Sequence, residues 1–227
     1  FHGDTSDEKV WNDLASYIEG SFPTEEGGEM PIQLCAIDSG YNTQHVYNFC
    51  RRYSPTRVVP VKGFDDQPVL VAQPRQTDVK VKGKPRVRRG VQFWKVGVNL
   101  IKSELYGWLK SDPPMEGEQM PNGFCHFPEY GDEYFKQLCS ERAVIRRDRK
   151  NRNVIEWVKS RERNEALDVR IYNRAAASLV GIDRFRPQDW EKFRVQSLAK
   201  SIESKHNRTA TPKKKSKKKA KRKESFW

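Results

Sequence analysis

An apolar run that ends in an acidic turn occupies residues 32–40, Ile-Gln-Leu-Cys-Ala-Ile-Asp-Ser-Gly. Nearly continuous apolar residues over this length are typical of a strand that is covered on both faces of a sheet. A segment with a helical pattern, Thr43 to Tyr53, and a valine-rich run, Arg57 to Val61, come next. A strand, a helix and a strand in this order predict a parallel crossover unit, with the first run as a buried central strand.

The carboxyl ends of these two predicted strands carry Asp38 and Lys62. In open parallel sheets, functional groups gather at that edge, so we expect both side chains at one site. Asp38 also has a simpler interpretation, because Asp before Ser-Gly is a common strand-to-turn transition in which the carboxylate accepts backbone N–H groups. Taken alone, this aspartate indicates a turn more than a catalytic site.

A second acidic motif opens a predicted helix over residues 163–180. Glu165 and Asp168 lie three residues apart and are therefore neighbours on one surface of that helix. An ion pair with Arg163 or Arg170 would explain these carboxylates without any chemistry. Their combination with a strand-end aspartate in a basic α/β chain instead favours a metal-dependent phosphodiesterase.

Oxygen ligands of this kind suit Mg²⁺ or Mn²⁺. The hypothesis is a site for two such ions, which activate a water molecule and stabilise the leaving oxygen of a phosphodiester. His45 and His126 are alternative ligands or bases. Lone histidines beside aromatic residues are more typical of packing, so neither is assigned to the site.

Basic residues alternate with valines between Val79 and Arg89. The alternation and the turn at residues 83–85, Gly-Lys-Pro, predict a basic β-ribbon. Its charged face either contacts a nucleic-acid backbone or protects an exposed sheet edge from aggregation, and the basic composition favours the first. The candidate DNA-binding residues are Lys80, Lys82, Arg86 and Arg88, together with Lys62.

Three other segments have clear secondary-structure patterns. Residues 7–19 predict an amphipathic helix capped by Ser6 or Thr5. A short helix is expected over Glu133 to Glu141. Two apolar runs on either side of the basic turn at residues 146–152 predict a β-hairpin.

The chain has 227 residues and 36% hydrophobic content, which support one sizeable folded core. Its formal net charge of +13 favours a polyanionic partner, nucleic acid first. Nine of the eleven residues from Lys213 to Lys223 are Lys or Arg. We therefore expect an α/β nuclease domain over residues 1–204, a last helix from Gln188 to about Glu203, and a disordered lysine-rich tail over residues 205–227.

The sequence predicts a protein that is neither exported nor inserted in a membrane. It has no apolar window of roughly 20 residues and no basic-then-apolar leader. Its cysteines have neither Cys-x-x-Cys spacing nor partner histidines at zinc-finger distances, so we interpret them as reduced thiols. They are Cys35, Cys50, Cys125 and Cys139.

Seven short motifs, each weak alone, form an ordered set from residue 1 to about residue 180. They are Phe1-His2-Gly3-Asp4, Asp38-Ser39-Gly40, Val59-Pro60-Val61-Lys62-Gly63, Val96-Gly97-Val98-Asn99 with Lys102, His126-Phe127-Pro128, Tyr134-Phe135 with Leu138 and Glu141, and Arg163-Asn164-Glu165-Ala166-Leu167-Asp168. As a set, they closely resemble the C-terminal nuclease domain of lambda-type phage terminase large subunits.

This resemblance implies a ribonuclease H-like mixed sheet flanked by helices, with the basic ribbon as an insertion. It implies an endonuclease that cuts concatemeric double-stranded viral DNA during genome packaging in the host cytoplasm. Asp38 and Asp168 would be metal-binding, catalytic carboxylates, and Glu165 shares the second motif. The implied partners are the terminase small subunit, the capsid portal and the ATPase domain of the large subunit.

Two family features are missing from these residues. The first strand of such domains usually carries another acidic ligand in a Gly-x-Asp-x-Gln motif, and no Gly-rich Walker-type loop is present either. We therefore expect an N-terminally incomplete nuclease domain without the packaging ATPase. A nucleic-acid-binding module without catalysis is the alternative, which metal-dependent cleavage would exclude. Another ribonuclease H-like enzyme, such as a resolvase or transposase, would prefer branched or transposon-end DNA.

Overall fold

The computed structural model describes residues 3–80, 83 and 85–209. The chain divides into two units, one formed from Phe1–Gly20 and Ile32–Phe185 and the other from Ser21–Pro31 and Arg186–Trp227. The helices of the described residues are α1 (Glu8–Ile18), α2 (Thr43–Cys50), α3 (Val98–Trp108), α4 (Asp132–Leu138), α5 (Glu165–Val180) and α6 (Pro187–Thr209), with a 3₁₀ turn at Ile182–Arg184. The strands are β1 (Ser21–Pro23), β2 (Glu29–Pro31), β3 (Cys35–Asp38), β4 (Val58–Phe64), β5 (Arg75–Val79), β6 (Val87–Gly97), β7 (Glu141–Arg147) and β8 (Asn153–Lys159).

The larger unit contains a four-stranded mixed sheet in the order β3-β4-β6-β5. Strands β3, β4 and β6 are parallel, and β5 runs antiparallel to β6. The predicted parallel crossover through α2 is therefore confirmed. The prediction that the first run is a central strand is wrong for the described sheet, because β3 lies at its edge. Continuous apolar residues indicate burial on both faces of a sheet, and they carry no information on lateral position.

Helices cover both faces of this sheet, which makes the larger unit a three-layer α/β structure. Along β4, Val58 packs in a core with α1 and α2, whereas Val59 and Val61 pack in a second core with α3, α4 and α5. On β3, Ala36 packs against the second core. Because side chains alternate along a strand, Asp38 faces the α5 side as well.

Among the helix ends that differ from the predicted ones are those of α1 and α4. Helix α1 is capped by Asp7, whose carboxylate accepts the backbone N–H of Lys9, so the choice of Ser6 or Thr5 was wrong by one or two positions. Helix α4 ends at Leu138, before the predicted end, because Glu141 begins a strand that pairs with β8 over seven residues. Strand pairing therefore replaces the last predicted helical turn.

The hairpin of β7 and β8 confirms the prediction for this segment. It pairs from Glu141 with Lys159 at its root to Arg147 with Asn153 at its tip. Asp148 closes the turn, because its carboxylate accepts the backbone N–H groups of Lys150 and Arg152. These bonds also lower the pKa of Asp148, first of all the bond from the Arg152 backbone.

The smaller unit combines the antiparallel pair β1–β2 with α6. Arg194 on α6 forms ion pairs with Glu26, at 3.0 Å, and with Glu191, at 2.7 Å. Helix α6 begins at Pro187 and continues to Thr209, past the end predicted near Glu203. Residues 210–227, which hold most of the predicted tail, lie outside the described residues. Within the described part, no helix has the length and apolar character needed to cross a membrane.

Candidate active site

Two of the predicted site residues, Asp38 and Asp168, come together at the carboxyl edge of the sheet. Asp38 is the last residue of β3, and Asp168 lies in the first turn of α5. The charge of Asp38 is close enough to contribute to a raised pKa of Asp168. Both residues remain accessible to solvent. A cleft of about 530 Å³ is lined by Asp168 and Tyr172 of α5, among others.

Tyr172 holds the carboxylate of Asp38 in place. Its hydroxyl donates a hydrogen bond to Asp38 and accepts one from the backbone N–H of Gly63. Burial first, and then the charge of Asp38, strongly raise the pKa of Tyr172, so the phenol stays protonated and remains a donor. Asp38 also accepts the backbone N–H of Gly40 at 3.0 Å. The turn interpretation of Asp38 is thus correct, and it coexists with a place in the site.

Asn164 has the corresponding position beside Asp168. It precedes α5, yet its side chain forms no capping hydrogen bond to the helix. Its amide instead donates to the carboxylates of Asp168, at 3.2 Å, and Glu141, at 3.3 Å. Its carbonyl oxygen accepts a hydrogen bond from the ammonium of Lys159 at 3.0 Å. One side chain therefore links α5 to both strands of the hairpin.

Glu141, which accepts a hydrogen bond from Asn164, also belongs to a buried ion pair. The Nζ atom of Lys102 on α3 is 2.7 Å from Oε2 of Glu141, and their side chains are only 10% and 4% exposed. The ring of Trp157 also lies near Lys102, with its centroid 6.0 Å from Nζ. Buried pairs persist only where both partners are well placed. The pair consequently fixes the hairpin root against α3.

Burial and nearby charges of both signs act on the carboxylate of Asp168. Partial burial is the largest cause of its raised pKa, and the charges of Glu141 and then Asp38 add to it. Lys102 and Lys159 act in the opposite direction. A carboxylate in such surroundings is ionised more easily when a further cation binds nearby.

The residues present fit a hard divalent cation. Mg²⁺ is commonly held by one or two carboxylates, with water and substrate phosphates completing its shell. Asp38 and Asp168 supply such oxygen donors at one solvent-accessible edge. No group of three or more His, Cys, Asp or Glu side chains in the described part of the chain has a metal-holding arrangement. Asp65 and Asp66 also line the cleft, and Asp38 and Asp168 are the candidate protein ligands that the sequence predicted.

Glu165 does not join the two aspartates. It is the first residue of α5, its side chain is 62% exposed, and it pairs with Arg163 at 3.4 Å. The cleft beside Asp168 does not include it. The ion-pair interpretation therefore describes Glu165 better than a catalytic role, which stays a prediction.

Lys62 lies at the site edge but on the other face of the sheet. It is exposed on β4 and follows Val61, which is level with Asp38 and packs on the α5 side. Alternation of side chains therefore directs Lys62 away from the cleft. Gly63, the next residue, faces the cleft and approaches Tyr172.

The predicted basic ribbon is an antiparallel pair whose tip lies far from the aspartates. Strand register places Asp38 level with Val61 and hence with Trp94, whereas the tip begins at Val87, seven residues earlier on β6. At about 3.3 Å per residue, that separation is about 23 Å along the sheet.

The candidate DNA contacts of this ribbon have different surroundings. Arg86 is partly neutralised by Asp78 at 2.8 Å. The backbone N–H of Lys80 bonds to the side chain of Gln44, and Arg88 is exposed. Lys82 lies outside the described residues.

Sequence reasoning did not assign site roles to Tyr172, Asn164, Lys102 or Glu141. Tyr172 lies four residues after Asp168 and thus on the same helix face, so helical spacing could have identified it. Asn164 begins the same motif. Lys102 and Glu141 belong to separate elements and appeared only within the set of family motifs, because their pairing depends on the tertiary fold.

The sheet, its flanking helices and the paired aspartates define an α/β protein whose site suits phosphodiester chemistry. The chain belongs to the family described as terminase large subunit gpA, endonuclease domain, whose model matches residues 1–190. This membership confirms the resemblance that the ordered motifs predicted.

Two relatives are similar to this chain. It is 28% identical to the large subunit of terminase from Enterobacteria phage P21 over 198 residues, which are 84% of this chain and 28% of that protein. It is also 28% identical to the large subunit of terminase from Escherichia phage lambda over 181 residues, 77% of this chain and 26% of that protein. The chain therefore spans little more than a quarter of either relative. No solved structure gives a significant match.

Proposed function

We propose that this chain is a metal-dependent endonuclease that cuts concatemeric double-stranded viral DNA during genome packaging, on a ribonuclease H-like fold. The convergence of Asp38 and Asp168 at one sheet edge supports this proposal most directly. Each carboxylate accepts a hydrogen bond from a neutral side chain, Tyr172 or Asn164 respectively. Family membership supports the same reaction class.

Asp38 and Asp168 would hold Mg²⁺ or Mn²⁺, with two ions as the full complement. When bound, such ions polarise the phosphodiester and lower the pKa of a water molecule so that it becomes a nucleophile at neutral pH. The protein itself orients the ligands. Tyr172 holds the Asp38 carboxylate by a hydrogen bond, and Asn164 does the same for Asp168.

Basic side chains near the cleft would hold the DNA backbone. Lys159 is exposed beside Asn164, and its charge acts on Asp168. It would therefore reach a phosphate close to the reacting one. Lys62 and the basic ribbon lie farther from the cleft and would contact the duplex away from the cut.

We infer that this chain acts in the host cytoplasm as part of a DNA-packaging complex. Its partners there would be double-stranded DNA, the terminase small subunit, the capsid portal and the ATPase domain of the large subunit. This part of the proposal comes from the family and from the names of the two relatives.

The test is cleavage of supercoiled plasmid by the purified chain with Mn²⁺. The unaltered chain should nick and linearise the plasmid, whereas Asp38→Asn, Asp168→Asn and an EDTA control should not. Asp112→Asn is a matched control, because Asp112 is an exposed aspartate outside the cleft, and it should cut normally. Equal cutting by Asp168→Asn and the unaltered chain would refute the assigned site.

A nucleic-acid-binding module without catalysis is the second candidate. It is favoured by the finding that no group of three or more His, Cys, Asp or Glu side chains among the described residues has a metal-holding arrangement. Retardation of plasmid without metal-dependent cutting would support this alternative.

A further inference from the structure

The β7–β8 hairpin projects from the site and has a distinct side-chain pattern. Its root is tied to Asp168 through Asn164, and its tip lies six residue pairs away, a distance of about 20 Å. Alternation puts the pairs Ala143–Trp157, Ile145–Ile155 and Arg147–Asn153 on the same face as Glu141.

Burial on this face decreases from root to tip. Trp157 packs against Tyr106 of α3, with ring centroids 4.9 Å apart. Beyond it, Ile145 is 72% exposed, and its cross-strand partner Ile155 is 55% exposed. Two adjacent isoleucines in water on a narrow ribbon indicate a surface that another molecule covers.

The charge of the hairpin indicates what kind of molecule covers this surface. Residues 141–159 contain seven Lys or Arg and three Asp or Glu. All three acids are engaged within the protein: Glu141 with Lys102, Asp148 with Arg152 at 2.6 Å, and Glu156 with Arg146 at 2.9 Å. The remaining basic residues form no ion pair with another described residue; they are Arg142, Arg147, Arg149, Lys150 and Lys159. This excess favours a polyanion over an apolar protein surface.

We propose that this hairpin enters the major groove of duplex DNA next to the cleavage site, an inference that rests on the proposed function. The major groove is about 12 Å wide and admits a two-stranded ribbon. Ile145 and Ile155 contact base edges and thymine methyl groups there, while Arg147, Arg149 and Lys150 contact phosphates on the groove walls. The hairpin thereby positions the duplex relative to the two aspartates.

The experiment measures binding of a fluorescent duplex to the full chain in EDTA, over a series of KCl concentrations. One variant is Ile145→Ser/Ile155→Ser, and a second is Arg147→Gln/Arg149→Gln/Lys150→Gln. The matched control removes three exposed basic residues from other elements, Lys9→Gln/Arg51→Gln/Lys110→Gln. The lysine-rich residues 213–223 are the same in all of these proteins, so differences report the substituted positions.

The two hairpin variants should differ in their salt dependence. The isoleucine variant should bind about tenfold more weakly with an unchanged salt slope, because it loses apolar contact alone. The triple hairpin variant should lower the salt slope by about 2 to 3, whereas the control should leave the slope unchanged. Normal binding by the isoleucine variant would overturn groove insertion. Absence of duplex binding by the unaltered chain would overturn it too.

A photo-crosslinking amino acid gives a local readout. In place of Ile145 it should crosslink to the duplex, and in place of the 78% exposed Met115 it should not. Crosslinking at neither position would overturn the proposal. These measurements need no metal, so they are independent of plasmid cutting. If the unaltered chain does not cut plasmid but its DNA binding depends on the hairpin, the proposed nuclease activity is refuted and the proposed role of the hairpin is retained. If the unaltered chain cuts plasmid but the hairpin variants bind DNA normally, the nuclease activity is retained and the proposed role of the hairpin is refuted.

Discussion

Tyr172 joins α5, β3 and β4 through one hydroxyl group, which bonds to Asp38 and to the backbone of Gly63. Tyr172→Phe removes both hydrogen bonds and leaves the ring in place. We expect cleavage to slow by about tenfold, since the Asp38 carboxylate loses its orientation. We expect the free energy of unfolding to fall by about 1 kcal/mol. Plasmid kinetics and urea unfolding measure these effects, and cutting at the unaltered rate would contradict the role of Tyr172. Tyr130→Phe, at an exposed tyrosine outside the cleft, is the control.

Asp168 should make stability depend on pH. Its pKa is raised above 3.8, so between 3.8 and the raised pKa the native state binds more protons than the unfolded chain does. Stability therefore falls as pH rises through this interval, and the loss is complete above it.

Asp168→Asn removes this loss and can still accept the hydrogen bond from Asn164. At pH 7 without metal, Asp168→Asn should unfold at a higher urea concentration than the unaltered chain, by a modest margin because the carboxylate is partly solvated. The margin should vanish below about pH 3, where both states of the aspartate are protonated. Equal urea midpoints at pH 7 would contradict the raised pKa of Asp168.

Lys102 and Glu141 should behave as a coupled pair. Removing one partner leaves a buried charge, so Lys102→Met and Glu141→Gln should each lower the free energy of unfolding by about 3 to 5 kcal/mol. The double variant should lose less than the sum of the two single losses, because neither charge remains. Urea unfolding of the four proteins measures this coupling. Strict additivity would show that the pair is not coupled.

The site could be predicted from the sequence only where its residues belong to local motifs. Asp38 was identifiable because it ends an apolar run, and Asp168 because it lies at helical spacing from Glu165. Glu165 satisfied the same spacing, yet it faces solvent beside Arg163. Lys102 and Glu141 are 39 residues apart and meet only when α3 packs against the hairpin root. No local pattern encodes such a contact.

The end of β6 depends on a close backbone approach at Gly97. A β-carbon there would lie 2.5 Å from the carbonyl oxygen of Val69, which belongs to the backbone and cannot rotate away. Gly97→Ala should therefore lower the free energy of unfolding by about 1 to 3 kcal/mol. Gly107→Ala is the matched control in α3, where nothing lies within 4 Å, and it should raise stability by about 0.5 to 1 kcal/mol. Urea unfolding distinguishes them, and equal effects of the two substitutions would contradict the structure at Gly97.

For most strands and helices, the sequence predicted the type of element better than its position in the sheet or its first and last residues. The parallel crossover followed from strand, helix and strand in succession, and the β7–β8 hairpin followed from its basic turn. The edge position of β3 did not follow, because hydrophobicity reports which faces are covered. The helix predicted up to Glu141 failed because pairing with β8 is a nonlocal interaction.

Across the whole molecule, positive charge is concentrated in distinct places. Lys102 and Lys159 lie next to the aspartates, the hairpin projects beyond them, and the β5–β6 tip lies about 23 Å along the sheet. The formal charge of +13 therefore predicts affinity for DNA, but it does not specify which surface carries specificity.

The central claim is that Asp38 and Asp168 bind divalent cations at one shared site. Calorimetric titration with Mn²⁺ tests it without DNA, using the unaltered chain, Asp38→Asn, Asp168→Asn, the double variant and Asp112→Asn. We expect the unaltered chain and Asp112→Asn to bind alike, and each site variant to lose binding as fully as the double variant does. Mn²⁺ binding that persists unchanged in both single variants would contradict the account.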